Sequence, residues 1–169
     1  MILMVDLLTI QTIGIIIAAL SVIIGVINNI LTSRQSNRTR QTQLFMDLYS
    51  YLRSKEFVKD SRELSSWKWN TFEDFRSKYG ARADKEANSL FVSTSNFFDG
   101  VGVLVKRNEI DPRLVENLMS AWIIWFWEKF GDIIKEYRKV RYPQYLEFVE
   151  YLYNKIKPLA DKDYSAPEP

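Results

Sequence analysis

From Leu7 to Ser33 the chain carries no charged side chain, 27 residues in a row, and Asp6 is the only charge before Arg34. At about 1.5 Å of rise per residue, the 21 residues Leu7–Ile27 make roughly 31 Å of helix. That is close to the ~30 Å hydrocarbon thickness of a bilayer. A surface helix of a globular domain keeps a charged face, and this run has none. The expectation is therefore an N-terminal transmembrane helix within residues 1–33. A cleaved leader fits less well. No basic segment precedes the run, the run exceeds the ~7–15 residues of a leader's apolar part, and Asn28-Asn29-Ile30-Leu31 offers no small-x-small cleavage site.

Arg34, Arg38 and Arg40 follow the run directly. Positive charge stays on the cytoplasmic side, so the expected topology is single-pass, with a short N-terminus outside and residues 34–169 cytoplasmic. The sequon Asn37-Arg38-Thr39 would then be a chance match.

A second pattern lies within the run. Gln11, Gly14, Ala18, Ser21, Gly25, Asn28 and Thr32 are spaced alternately three and four apart, and Gln35, Thr39 and Thr42 continue the register. Small residues let helix backbones approach closely, and amides or hydroxyls can hydrogen-bond across the contact. This seam predicts packing against another transmembrane helix, from a second copy or from a larger membrane complex.

The remainder reads as all-α, a continuation of the first helix plus a cytoplasmic bundle of about five helices over residues 34–160, with a flexible tail at 161–169. Leu44, Phe45, Leu48, Tyr51 and Leu52 extend the first helix with an apolar face. Ser54 and Thr71 are expected to cap the next two helices, and Tyr79-Gly80 to stop the second of them. A longer helix is expected from about Ala83 to Lys106. Asp111-Pro112 opens another, which reaches about Arg141. Its centre, Ala121-Trp122-Ile123-Ile124-Trp125-Phe126-Trp127, is apolar all round, which predicts a central position or contact with membrane or partner. A last helix is expected to end at Pro158.

Chemistry is constrained by absence, since the chain has no Cys and no His. Thiolate and imidazole nucleophile–base pairs, zinc fingers and His-ligated haem are excluded, and no cofactor is expected. Glu128, Asp132 and Glu136 form a stripe, but interleaved Lys129, Lys135 and Lys139 suit a solvated, ion-paired face better than a metal site. Asp99, set among Phe97, Phe98 and Val101, is expected to form a structural ion pair with Lys106, Arg107 or Arg138. Gly100 and Gly102 suggest close helix packing rather than a phosphate loop.

The net charge of +2 hides an asymmetry. Residues 34–85 carry 12 basic and 7 acidic groups, and residues 86–169 carry 11 and 13. Trp67, Lys68 and Trp69, together with Arg34, Arg38 and Arg40, are therefore candidates for a basic, aromatic surface facing membrane lipids, with capping of the bundle core by Trp67 and Trp69 as the equal alternative. The near-neutral domain gives no reason to expect nucleic acid as a partner.

The stretch Phe97-Phe98-Asp99-Gly100-Val101-Gly102-Val103-Leu104-Val105-Lys106-Arg107, then Ile110-Asp111, then Trp122 through Glu128, resembles a family of uncharacterised prokaryotic membrane proteins defined only as a domain of unknown function. The resemblance covers roughly residues 7–155. It implies one N-terminal membrane helix and a small helical domain, and no catalytic residues. Taken together, the expected function is non-enzymatic: a single-pass membrane protein acting in assembly, as a self-associating scaffold or an accessory subunit of a larger membrane complex. The alternative is a membrane-tethered sensor that binds a lipid or small ligand. A carboxylate-dependent enzyme is a third possibility.

Overall fold

The computed structural model describes the backbone of residues 2–164, and the side chains there apart from those of 2–9, 15–17, 19, 34, 37, 38, 163 and 164. Among the described residues there are six α-helices and no strand. They are α1 (Ile2–Leu52), α2 (Lys55–Ser66), α3 (Phe72–Tyr79), α4 (Lys85–Lys106), α5 (Pro112–Val140) and α6 (Glu147–Tyr164). The chain divides into two compact units, Met1–Arg40 and Gln41–Pro169.

The first unit corrects the opening expectation. Among the described residues no helix is long and apolar enough to cross a membrane, so the transmembrane helix expected within residues 1–33 does not stand. A helix does form there, as part of the 51 residues of α1. Thr9, Gln11 and Thr12 near its start and Asn28, Asn29, Thr32 and Ser33 at its end put hydrogen-bonding side chains into the charge-free run. Amide side chains are costly to place in hydrocarbon without partners. The single-pass topology derived from that span loses its basis with it.

The second unit is built from caps and aromatic packing. Ser54 Oγ accepts from the Phe57 N–H at 3.1 Å and starts α2. Thr71 Oγ1 accepts from Asp74 N–H at 3.1 Å and starts α3, and Asp84 accepts from Ala87 N–H at 2.9 Å and starts α4. Asp111 accepts from Arg113 N–H at 2.9 Å, with Pro112 in the first turn of α5. Each cap satisfies an amide that the first helical turn leaves without a partner.

α6 packs chiefly on α4 and α5. Phe57, Phe75, Phe91, Phe98, Phe126 and Phe130 are fully buried in one core. Their rings meet edge-on or tilted, as in Phe57 on Trp122 at 5.2 Å and Phe98 on Phe126 at 4.9 Å. These geometries suit the aromatic quadrupole and add to plain area burial. The all-apolar centre of α5 does lie centrally. Ile123, Phe126 and Trp127 are buried, Trp122, Ile124 and Trp125 are half-buried, and Ala121 is exposed.

One helix end differs from expectation. Pro158 lies inside α6, which runs on to Tyr164. The proline withholds one backbone donor, but Ala160 beyond it is buried against the bundle, and that packing carries the helix past the break. The expected tail at 161–169 begins within this helix, and residues 165–169 lie outside the described ones.

Candidate functional site

The seam residues Gln11, Gly14, Ala18, Ser21, Gly25, Asn28 and Thr32 are all exposed in the single chain. A Cβ added at Gly14 or Gly25 would meet nothing within 4 Å. At about 100° per residue the seven share one side of α1. The opposite arc, roughly 160° wide, carries Ile13, Leu20, Ile23, Ile24, Val26, Ile27, Ile30 and Leu31. These are solvent-facing too, with Val26 at 53% and Ile23 at 54% exposure. Monomeric proteins rarely leave a contiguous apolar face of this kind uncovered.

The basic, aromatic segment behaves otherwise. Trp67 is buried, stacked on Tyr79 at 4.1 Å and 3°, so it belongs to the core rather than to a membrane-facing surface. Trp69 is half-buried and stacks on Phe130 at 5.3 Å. Lys68 is exposed. The cation that organises this corner is Lys129, which sequence reasoning had assigned to a solvated stripe. Its Nζ donates to the carbonyls of Ser65 and Trp67, both at 3.0 Å, and lies 5.1 Å from the Trp69 ring centroid. Burial, then the Lys68 charge, lowers its pKa. Arg40 is exposed, and the side chains of Arg34 and Arg38 lie outside the described residues.

Asp99 is a helix cap supplied through space. Its Oδ1 accepts from the backbone N–H of Phe148 at 3.0 Å and of Val149 at 3.2 Å, in the first turn of α6. The expected ion pair is corrected on this point. Two backbone donors take the place of the cation, and Arg138, whose charge acts on Asp99, makes its hydrogen bonds elsewhere. Burial raises the Asp99 pKa above the ordinary 3.8, although the two N–H groups and Arg138 pull it down. Arg138 instead clamps the α5–α6 turn. It donates to the carbonyls of Tyr145 at 2.8 Å and Leu146 at 3.0 Å, and pairs with Glu150. The turn needs holding, because Leu146 sits at φ 51°, a region bulky side chains rarely enter. Beside it, a Cβ added at Gly102 would lie 2.2 Å from the Phe148 carbonyl oxygen. Close packing therefore explains Gly102 but not Gly100, which faces open space.

The carboxylate stripe is ion-paired. Glu128 accepts from Lys157 at 2.6 Å, Asp132 from Lys135 at 3.2 Å and Glu136 from Lys139 at 2.5 Å. Among the described residues no cluster of three or more acidic side chains could hold a metal ion.

Residues 8–156 match the family described as a domain of unknown function, DUF4760. The chain belongs to the DUF4760 family. The match spans nearly the stretch over which the sequence showed its resemblance, and it ends within α6 of the DUF4760 bundle. No curated protein and no solved structure matches the chain.

Proposed function

We propose that this DUF4760 protein works by assembly, as a non-enzymatic, self-associating scaffold or accessory subunit whose contact element is the first 40 residues of α1. The observation that carries this reading is the exposed apolar arc of that unit beside its exposed small-residue seam. A second copy of the chain is the occupant that best suits it. The seam's Gln11 and Asn28 amides each hold a donor and an acceptor, so identical residues can satisfy one another across a symmetric contact. An arc of roughly 160° is wider than a two-stranded seam covers, which favours more than two helices per assembly. The absence of Cys and His from the sequence removes the commonest catalytic groups and supports a non-enzymatic role.

The test is the mass of the full chain in detergent-free buffer, by light scattering on a sizing column. The wild-type chain is expected to run as an oligomer. Ile23→Gln, Ile27→Gln and Ile30→Gln combined are expected to shift it towards the monomer, and so are Gly14→Leu and Gly25→Leu combined. A wild-type monomer, or variants of unchanged mass, overturns the reading. So does a monomer that floats with lipid vesicles.

A further inference from the structure

A cleft of about 500 Å³ opens beside the C-terminal ends of α3 and α5. Its lining includes Arg76, Arg82 and Arg141, with Tyr137, Asn88 and a single carboxylate, Glu73. Three guanidiniums there face one carboxylate, in contrast to the ion-paired cations of the bundle. Lys78, Lys135, Arg138, Lys139 and Lys157 each have a carboxylate partner. Among the described residues Arg76, Arg82 and Arg141 have no carboxylate within 4.0 Å.

Two of the three are also held in place. The Arg76 guanidinium lies 5.6 Å from the Phe72 ring centroid, and that of Arg141 lies 5.1 Å and 4.8 Å from those of Tyr137 and Tyr145. Stacking on a ring face leaves the in-plane N–H donors of a guanidinium free and fixes the direction in which they point. A ligand that meets such donors loses less side-chain entropy on binding. The Tyr137 phenol lies under the influence of both positive charges: burial raises its pKa, while Arg141 and Arg76 oppose the rise.

Guanidinium forks match the oxygens of a phosphoryl group in bidentate geometry, and the bond is charge-assisted. The cleft volume falls in the ~300–1,000 Å³ range of small-molecule sites. We propose that this cleft binds a phosphate-bearing anion, with Arg76, Arg82 and Arg141 on the phosphoryl oxygens and Asn88 and Tyr137 as neutral hydrogen-bonding groups. The phosphoryl group can come from a free phosphorylated molecule or from a phospholipid headgroup. The site is independent of the assembly proposed for α1.

The full chain is titrated calorimetrically with inorganic pyrophosphate, and separately sedimented with phosphatidylcholine vesicles with and without phosphatidic acid. Saturable binding in either arm is expected, weakening as salt rises. Arg76→Gln with Arg141→Gln should lose about tenfold or more in affinity. The same charge removed elsewhere, by Arg62→Gln with Lys155→Gln, should cost far less. Arg82→Gln gives an independent loss should the double variant unfold, since no ring contact within the bundle depends on it. Binding only to pyrophosphate identifies a free ligand, and binding only to phosphatidic acid vesicles identifies a headgroup. No saturable binding in either arm, or affinity equal in wild type and the cleft variants, overturns the proposal.

Discussion

Residues 1–40 and residues 41–169 are both rich in apolar side chains, yet among the described side chains only those of the second set are buried within their own unit. Ile23 is 54% exposed and Phe98 is 0% exposed. The distribution of aromatics explains the contrast. All 24 Phe, Trp and Tyr residues lie at or after Phe45, whereas the first unit is aliphatic, small and polar. Rings on α2 to α5 converge from several directions and close a core. Aliphatic residues confined to a single helix cannot cover themselves, because one helix presents its side chains outwards on every side. The bundle thus closes its core within one chain, while the described side chains of the first unit stand exposed.

The comparison predicts unequal responses to like substitutions. Phe98→Ala should cost the bundle about 3–5 kcal/mol in urea unfolding monitored by tryptophan fluorescence, as expected for an emptied ring site in a closed core. Ile23→Ala should leave that transition within about 0.5 kcal/mol of wild type, since the side chain has no buried surroundings in its own chain. Equal losses from the two would erase the distinction.

Glycines give the next contrast. Gly102→Ala pushes a methyl group against the Phe148 backbone and forces α4 and α6 apart, so a loss of about 3 kcal/mol is expected. Gly25→Ala meets open space and should leave bundle unfolding unchanged, or add up to ~1 kcal/mol of helix propensity in α1. Thermal melts of both variants followed by circular dichroism check the pair.

Asp99 sharpens the account of the bundle alone. Asp99→Ala removes both capping bonds to α6 and should cost about 1–2 kcal/mol. Because burial raises the folded-state pKa of this carboxyl, the folded chain holds its proton to higher pH than the unfolded chain. The contribution of this group to stability therefore falls as pH rises from the unfolded value near 3.8 through the folded value. Relative to Asp99→Asn, which does not titrate, the wild-type chain should lose ground across that window. Urea midpoints for the two chains from acid to neutral pH measure it, and a difference independent of pH contradicts it.

Local features were legible from the sequence. The caps at Ser54, Thr71 and Asp111-Pro112 depend on residues two or three positions apart, and the periodicity around Phe45–Leu52 foretold the end of α1. Features made by distant residues were not. Asp99 caps a helix that starts 48 positions later, and Arg76, Arg82 and Arg141 line one cleft only after α3 and α5 have packed. Pro158 misleads in isolation because the burial of Ala160 has no local signature. The charge-free run misleads in another way. Lack of charge reports what a helix omits, while Gln11, Thr12, Asn28 and Asn29 are the polar side chains that the run retains.

The central claim, that the bundle is complete in one chain while residues 1–40 are covered by other copies, is tested most directly by amide hydrogen exchange at two protein concentrations. Peptides from α4 and α5, such as those containing Phe98 and Phe126, should show the same protection at both. Peptides covering Leu20–Ser33 should gain protection as concentration rises. Protection of Leu20–Ser33 that does not change with concentration would contradict the account.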